Sequence, residues 1–319
     1  MFSVLFSVLI LIVGFFVLIK GADYLVSGAS SLALRLSVSE IAVALTVVAF
    51  GTSSPELVVN TIASINGNNA ASFGNIIGSN ILNILLILGI SGIIYPISSG
   101  KDTVWREIPF ALLAALVVLI MFNDRLMDRS ENVLSRTDGL ILLCFFVIYL
   151  VYVFGLSKIK VEDQPDIERF TLPRSLFTLL IGLIMLIAGG KFVVDHALEL
   201  ARYFSIPEKI IGLTILALGT SLPELATSAV AAYRKKSEIA IGNIVGSNIF
   251  NIFFIMGMSA VIRPISAPPG FNLDLITLLL SSFLLFVIMF TGQKRILDRW
   301  EAWVMIFLYL AYIIVTIIG

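Results

Sequence analysis

Charge is what this chain has least of. Only 13% of its 319 residues are Asp, Glu, Lys or Arg, about half the share of a soluble domain. Cysteine and histidine occur once each. The single Cys144 excludes an internal disulfide and a cysteine metal cluster, and in its apolar run it reads as a packing residue. His196 has no partner at ligand spacing and no H-E-x-x-H around it, so it reads as a helix-end residue without a catalytic duty. Zinc, copper and iron lose their usual ligands with these two residue types. No G-x-S-x-G elbow is present, and no serine or threonine has a histidine nearby. That argues against an intramembrane hydrolase, and no enzyme activity is expected. The 21 basic and 21 acidic residues cancel, so nothing points to nucleic acid.

Apolar sequence is abundant instead. Hydrophobic residues make up 59% of the chain, and runs of about 18 or more recur along it, each long enough to span a bilayer as a helix. The run from Phe2 to Ile19 lacks a basic start and a small-residue cleavage site, so it reads as a retained first helix. The chain is expected to be an all-α polytopic membrane protein whose solvent is lipid.

The sequence also repeats itself. Residues 21–97 align without a gap on residues 189–265 at a constant offset of 168, with about thirty identities. G-N-I-I-G-S-N-I-L-N-I (Gly74 to Ile84) returns as G-N-I-V-G-S-N-I-F-N-I (Gly242 to Ile252). Five apolar segments are expected in the first half, near 3–31, 38–65, 71–97, 105–122 and 138–157. The second half places five more near 173–201, 206–232, 239–263, 273–291 and 299–318. An odd number per half makes the second copy enter the membrane upside down, giving ten transmembrane helices in two inverted five-helix repeats. The halves are read as 1–157 and 173–319, joined by a polar linker at 158–172 too short for a domain.

Lys and Arg favour cytoplasmic loops. With both termini outside, about thirteen of them fall on the cytoplasmic side and about seven on the outer side. The linker is then cytoplasmic, in a protein of the plasma (inner) membrane.

Against this background two short motifs stand out. G-T-S-S-P-E (Gly51 to Glu56) interrupts one membrane-length segment, and G-T-S-L-P-E (Gly219 to Glu224) interrupts its copy. Thr52 and Glu56 share a helix face at i, i+4. Pro55 lacks an N–H and is expected to loosen the helix near Gly51, freeing carbonyl oxygens. Thr220, Ser221, Pro223 and Glu224 repeat the set. Ser79 with Asn83, and Ser247 with Asn251, add two more i, i+4 pairs, with neighbouring glycines that suit close helix approach and a bend. A glutamate at mid-membrane costs at least about 2.5–3.5 kcal/mol, and nothing basic is near either one in sequence. Oxygen-only ligands with two carboxylates suit a hard cation such as Ca²⁺. A helix-packing kink could explain one copy, but a structural scaffold does not need buried carboxylates in both.

Other charged residues read plainly. Glu107 follows Arg106 and is expected to pair at a helix end, and Asp195 is expected to partner Lys191.

These paired motifs resemble the two signature repeats of the sodium/calcium exchanger family, in a minimal prokaryotic form, and the resemblance covers essentially the whole chain. It implies cation sites between the second, third, seventh and eighth helices, with transported Na⁺ and Ca²⁺, no cofactor, and a monomer in membrane lipid. Glu56 and Glu224 would be the Ca²⁺ carboxylates. The hydroxyls of Thr52, Ser53, Thr220 and Ser221, with the carbonyls of Ala49 and Ala217, would complete the Ca²⁺ and Na⁺ sites. Ser79 and Ser247 match Na⁺-ligating serines, and Asn83 and Asn251 match the last polar position of each repeat. Many relatives carry Asp where this chain has Asn251, which leaves Na⁺ stoichiometry and a Ca²⁺/H⁺ or K⁺-dependent mode open.

Overall fold

Long apolar helices form because lipid offers the backbone no hydrogen-bond partner, so each span must satisfy its own N–H and C=O groups. The computed structural model describes residues 2–127, 131–156, 170–204 and 217–318. The first half contains α1 (Phe2–Leu36), α2 (Glu40–Thr52), α3 (Ser54–Ile65), α4 (Ala70–Ile94), α5 (Thr103–Met121) and α6 (Arg136–Leu156). The second contains α7 (Leu172–Tyr203), α8 (Leu222–Tyr233), α9 (Ser237–Ile262), α10 (Phe271–Ile288) and α11 (Arg299–Ile318). Among the described residues, eight helices can each cross a membrane, and α2 with α3 make a ninth crossing bent by 48°. The expected segment near 206–232 is described only from 217 onward, and most of the expected linker lies outside the described residues.

Burial sorts the helices. The most apolar window of α9 is 94% buried and that of α4 is 78% buried, whereas those of α6 and α11 are 22% buried. The two helices carrying the G-S-N motifs are therefore the centre of the bundle, and α6 and α11 face lipid.

Inversion is visible in three contacts. First, a Cβ added to Gly14, Gly21 or Gly28 of α1 would strike Val193, Leu186 or Leu179 of α7. Each step forward along α1 is thus matched by an equal step back along α7, so the first helices of the two halves run antiparallel. Glycine is required there because the backbones touch.

Second, four short strands cross-pair the halves. β1 (Ile97–Ser98) follows α4 and pairs antiparallel with β4 (Ile296–Leu297), which precedes α11. β2 (Val133–Leu134) precedes α6 and pairs with β3 (Ile265–Ser266), which follows α9. In each half a spanning helix separates the two strands. The cross-pairing therefore puts the ends of α4 and α9 on opposite membrane faces.

Third, Gly67 and Lys235, at matching positions, both have positive φ, +74° and +60°. Gly67 lies against Arg263, and Lys235 lies over the ring of Tyr95, the positional mate of Arg263.

Two expectations are corrected here. Cys144 is exposed on α6 and does not pack inward, because the apolar run around it faces lipid on that side. Glu107 does not pair with Arg106. Arg106 reaches Asp102 at 3.5 Å, while Glu107 is 1% exposed and accepts a hydrogen bond from Tyr152. A π-helical turn at Thr103–Glu107 shifts the helix register there and turns the carboxylate inward. The Lys191–Asp195 pair forms as expected, at 3.3 Å.

Candidate cation site

The proline of each G-T-S-x-P-E motif does not loosen a continuous helix. It starts a new one. Ser53 (φ −83°, ψ 8°) caps α3, with Pro55 in the first turn, and Ser221 (φ −92°, ψ 7°) caps α8, with Pro223 likewise. Proline suits that place because its missing N–H would have no intrahelical partner there. Glu56 and Glu224 therefore sit in the first turn of a helix, where the helix dipole favours negative charge.

Each glutamate is then held by the other half. Ser53 Oγ donates to Glu224 Oε1 at 2.7 Å, and Ser221 Oγ donates to Glu56 Oε1 at 3.1 Å. Ser247 Oγ reaches Glu224 Oε1 at 3.4 Å. The second oxygens, Glu56 Oε2 and Glu224 Oε2, are buried without a partner. Neither carboxylate takes part in an ion pair among the described residues. Nor do three His, Cys, Asp or Glu side chains gather there at metal-holding distance. The formal charge of the motif cluster therefore comes from two glutamates, and its other donors are neutral oxygens.

The threonines are also bridged across the halves. Thr52 Oγ1 donates to Asn243 Oδ1 at 3.0 Å, and Asn75 Nδ2 donates to Thr220 Oγ1 at 3.2 Å. Ala49 O accepts from Thr52 Oγ1 at 3.3 Å and from the Ser53 amide at 3.0 Å, so it is an engaged carbonyl. Ala217 opens the short turn Ala217–Gly219 at the matching place.

Further along the central helices, Asn83 Nδ2 donates to Asn248 Oδ1 at 3.0 Å. Ser79 Oγ, Asn83 Oδ1 and both amide atoms of Asn251 are buried without partners. Asn83 begins a π-helical stretch, Asn83–Ile87, and Asn251 lies in the matching one, Phe250–Met256. The irregularity expected near these polar residues thus falls at the asparagines themselves. A π-turn widens the helix locally and is frequent at functional sites.

The sequence reading missed Asn75, Asn243, Asn60 and Asn248. Asn60 Nδ2 donates to Asn75 Oδ1 and to Glu56 O, each at 2.7 Å. Asn243 Nδ2 donates to Ser228 Oγ at 2.9 Å and Glu224 O at 3.4 Å. The signal was available, because Asn75, Ser79 and Asn83 continue one i, i+4, i+8 stripe and Asn243, Ser247 and Asn251 repeat it. Asn243→Leu would take the shorter hydrogen bond from Thr52 Oγ1 and from Ser228 Oγ, leaving them the longer ones to Ala49 O at 3.3 Å and Ala240 O at 3.4 Å. A buried polar group deprived of its best partner costs about 1–3 kcal/mol, so the variant should unfold a few degrees lower than the parent in a thermal melt. An unchanged melt would show that the Thr52–Asn243 bridge does not hold the halves together.

Broken helices meeting in mid-bundle between two inverted halves define a secondary transporter, a membrane protein that moves solutes and is not an enzyme. The family model described as "Sodium/calcium exchanger protein" matches residues 6–155 and 174–318, and the chain belongs to that family. The sodium/calcium exchanger MaX1 of Methanosarcina acetivorans is 30% identical over 96% of this chain and 97% of its own. The inner membrane protein YrbG of Escherichia coli is 36% identical over 88% of this chain and 87% of its own. Among solved structures, the sodium-calcium exchanger NCX_Mj soaked with Na⁺ superposes with TM-score 0.84 at 32% identity, covering 97% of this chain and 98% of that one.

Proposed function

We propose that this protein is an antiporter that admits Na⁺ down its gradient and exports Ca²⁺ by alternating access. The supporting observation is the reciprocal grip on the glutamates. One oxygen of each is tied to the other half's serine, and the other oxygen is buried and unpartnered. Two carboxylates match the charge of one Ca²⁺, which takes 6–8 oxygen ligands. Thr52, Ser53, Thr220, Ser221, Ser79, Ser247, Asn83 and Asn251, with the Ala49 and Ala217 carbonyls, supply the remaining oxygens for Ca²⁺ and Na⁺. The relatives' names point the same way, since MaX1 and NCX_Mj are both called sodium/calcium exchangers.

Coupling follows from electrostatics. Carrying two unneutralised carboxylates through an occluded state is costly, so the halves exchange access only when cations are bound. Residues 1–157 and 173–319 act as the inverted repeats, with 158–172 as a cytoplasmic linker in the plasma (inner) membrane and both termini outside. One chain supplies both carboxylates, which supports a monomer as the working unit.

Vesicles of reconstituted protein loaded with Na⁺ should take up ⁴⁵Ca²⁺ when diluted into Na⁺-free medium. Uptake that ignores the Na⁺ gradient and follows a pH gradient would replace this reading with Ca²⁺/H⁺ antiport. An added requirement for K⁺ on the Ca²⁺ side would make the exchange K⁺-dependent.

A further inference from the structure

The two halves fill the space beside their central helices differently. Beside α5 and α6 of the first half, Phe253 of α9 stacks on Phe145 of α6 at 5.3 Å between ring centroids and meets the edge of Phe110 of α5 at 5.5 Å. Phe110 in turn stacks on Tyr149 of α6 at 5.7 Å. Aromatic rings thus close the gap between α5, α6 and α9.

The corresponding positions beside α10 and α11 of the second half are aliphatic. Leu85 of α4 stands 168 residues before Phe253, at the repeat offset. Leu308 stands as far beyond β4 as Phe145 stands beyond β2. Tyr312 occupies the place of Tyr149, but its hydroxyl is drawn to Asp274 Oδ1 at 2.8 Å. α10 and α11 both rest on the π-helical stretch that contains Leu85. A groove of about 560 Å³ remains between them, floored by Leu85 and walled by Leu280, Leu284, Leu308 and Val315.

That volume lies within the usual range of small-molecule sites, about 300–1,000 Å³. Leu280, Leu308 and Val315 are exposed on spanning helices, so the groove opens to the bilayer interior. An unfilled apolar cleft forfeits dispersion contacts along its whole lining, and the matter available at that depth is hydrocarbon. We propose that the α10–α11 groove is a lipid site that holds one acyl chain of a bilayer phospholipid, taking the place of the rings beside α5 and α6. The held chain touches Leu85, two residues beyond Asn83, and so forms an outer wall of the central polar helix.

The test does not depend on the transport reading. Full-length protein in phosphatidylethanolamine/phosphatidylglycerol vesicles is illuminated with a phosphatidylethanolamine whose acyl chain carries a mid-chain diazirine, and adducts are mapped by peptide mass spectrometry. Adducts on α10 and α11 groove residues should exceed, several-fold, those around Val147, which is equally lipid-exposed on α6. Leu308→Phe and Ala311→Phe, both on the lipid side where folding is not at stake, should each lower groove labelling to that level, and Val147→Phe should leave it unchanged. Groove labelling no higher than at Val147, or labelling that survives both filling substitutions, would overturn the proposal.

Discussion

Glu56→Gln and Glu224→Gln should each abolish Na⁺-driven Ca²⁺ uptake. Both side chains are 1% exposed or less, and each keeps one oxygen without a protein partner. Replacing a carboxylate by an amide halves the negative charge facing a divalent ion and turns one acceptor into a donor. Breaking a buried charge pairing costs about 3–5 kcal/mol, which is roughly two to four decades in affinity. The reciprocal bonds make the two effects alike. Glu56→Gln disturbs Ser221 of the second half, and Glu224→Gln disturbs Ser53 of the first. Uptake at saturating Ca²⁺, with protein yield and thermal unfolding measured in parallel, separates loss of the site from loss of the fold. Retained uptake in either variant would show that the carboxylates are not the cation ligands.

Gly182→Val should be the most damaging change outside the site. A Cβ there would lie 2.5 Å from the Leu25 amide nitrogen and 2.7 Å from the Gly21 carbonyl oxygen. Both are backbone atoms of a helix and cannot rotate away, so α1 and α7 must move apart. Overpacking of a close interface costs about 1–3 kcal/mol. The cost extends to function because α7 lies against both helix breaks, with Leu183 beside Gly51 and Val194 beside Gly219. Displacing α7 would disturb both motifs together. A fall in unfolding temperature with reduced uptake is expected. Gly155→Ala, where a Cβ meets nothing within 4 Å among the described residues, should leave both unchanged. Normal stability and uptake in Gly182→Val would mean that the α1–α7 contact is not structurally tight.

Much of this was legible before any coordinates. Membrane character followed from charge scarcity and from apolar runs. The inverted pairing followed from a gapless repeat with an odd number of segments in each half. The glutamates, hydroxyls and terminal asparagines were picked out because lipid makes such groups expensive, so their recurrence at one offset points to a shared purpose. Asn75 and Asn243 were missed although they sit on the same helical stripe, since an asparagine flanked by glycine and isoleucine looks like a packing residue until its partner is seen. Glu107 was misread because i, i+1 neighbours do not share a helix face and a π-turn changes which face a residue occupies.

The sequence by itself determined that this is a helical membrane protein of two inverted copies, with an oxygen-rich pair of motifs in each. Those are properties of composition and periodicity, which local chemistry and the bilayer enforce. Only the tertiary structure decided that Ser53 serves Glu224 and Ser221 serves Glu56, that Thr52 answers to Asn243, and that rings close one flank while the other stays open. Nearly all of these contacts join residues more than a hundred positions apart, and one helix face carries no record of which distant face will pack against it.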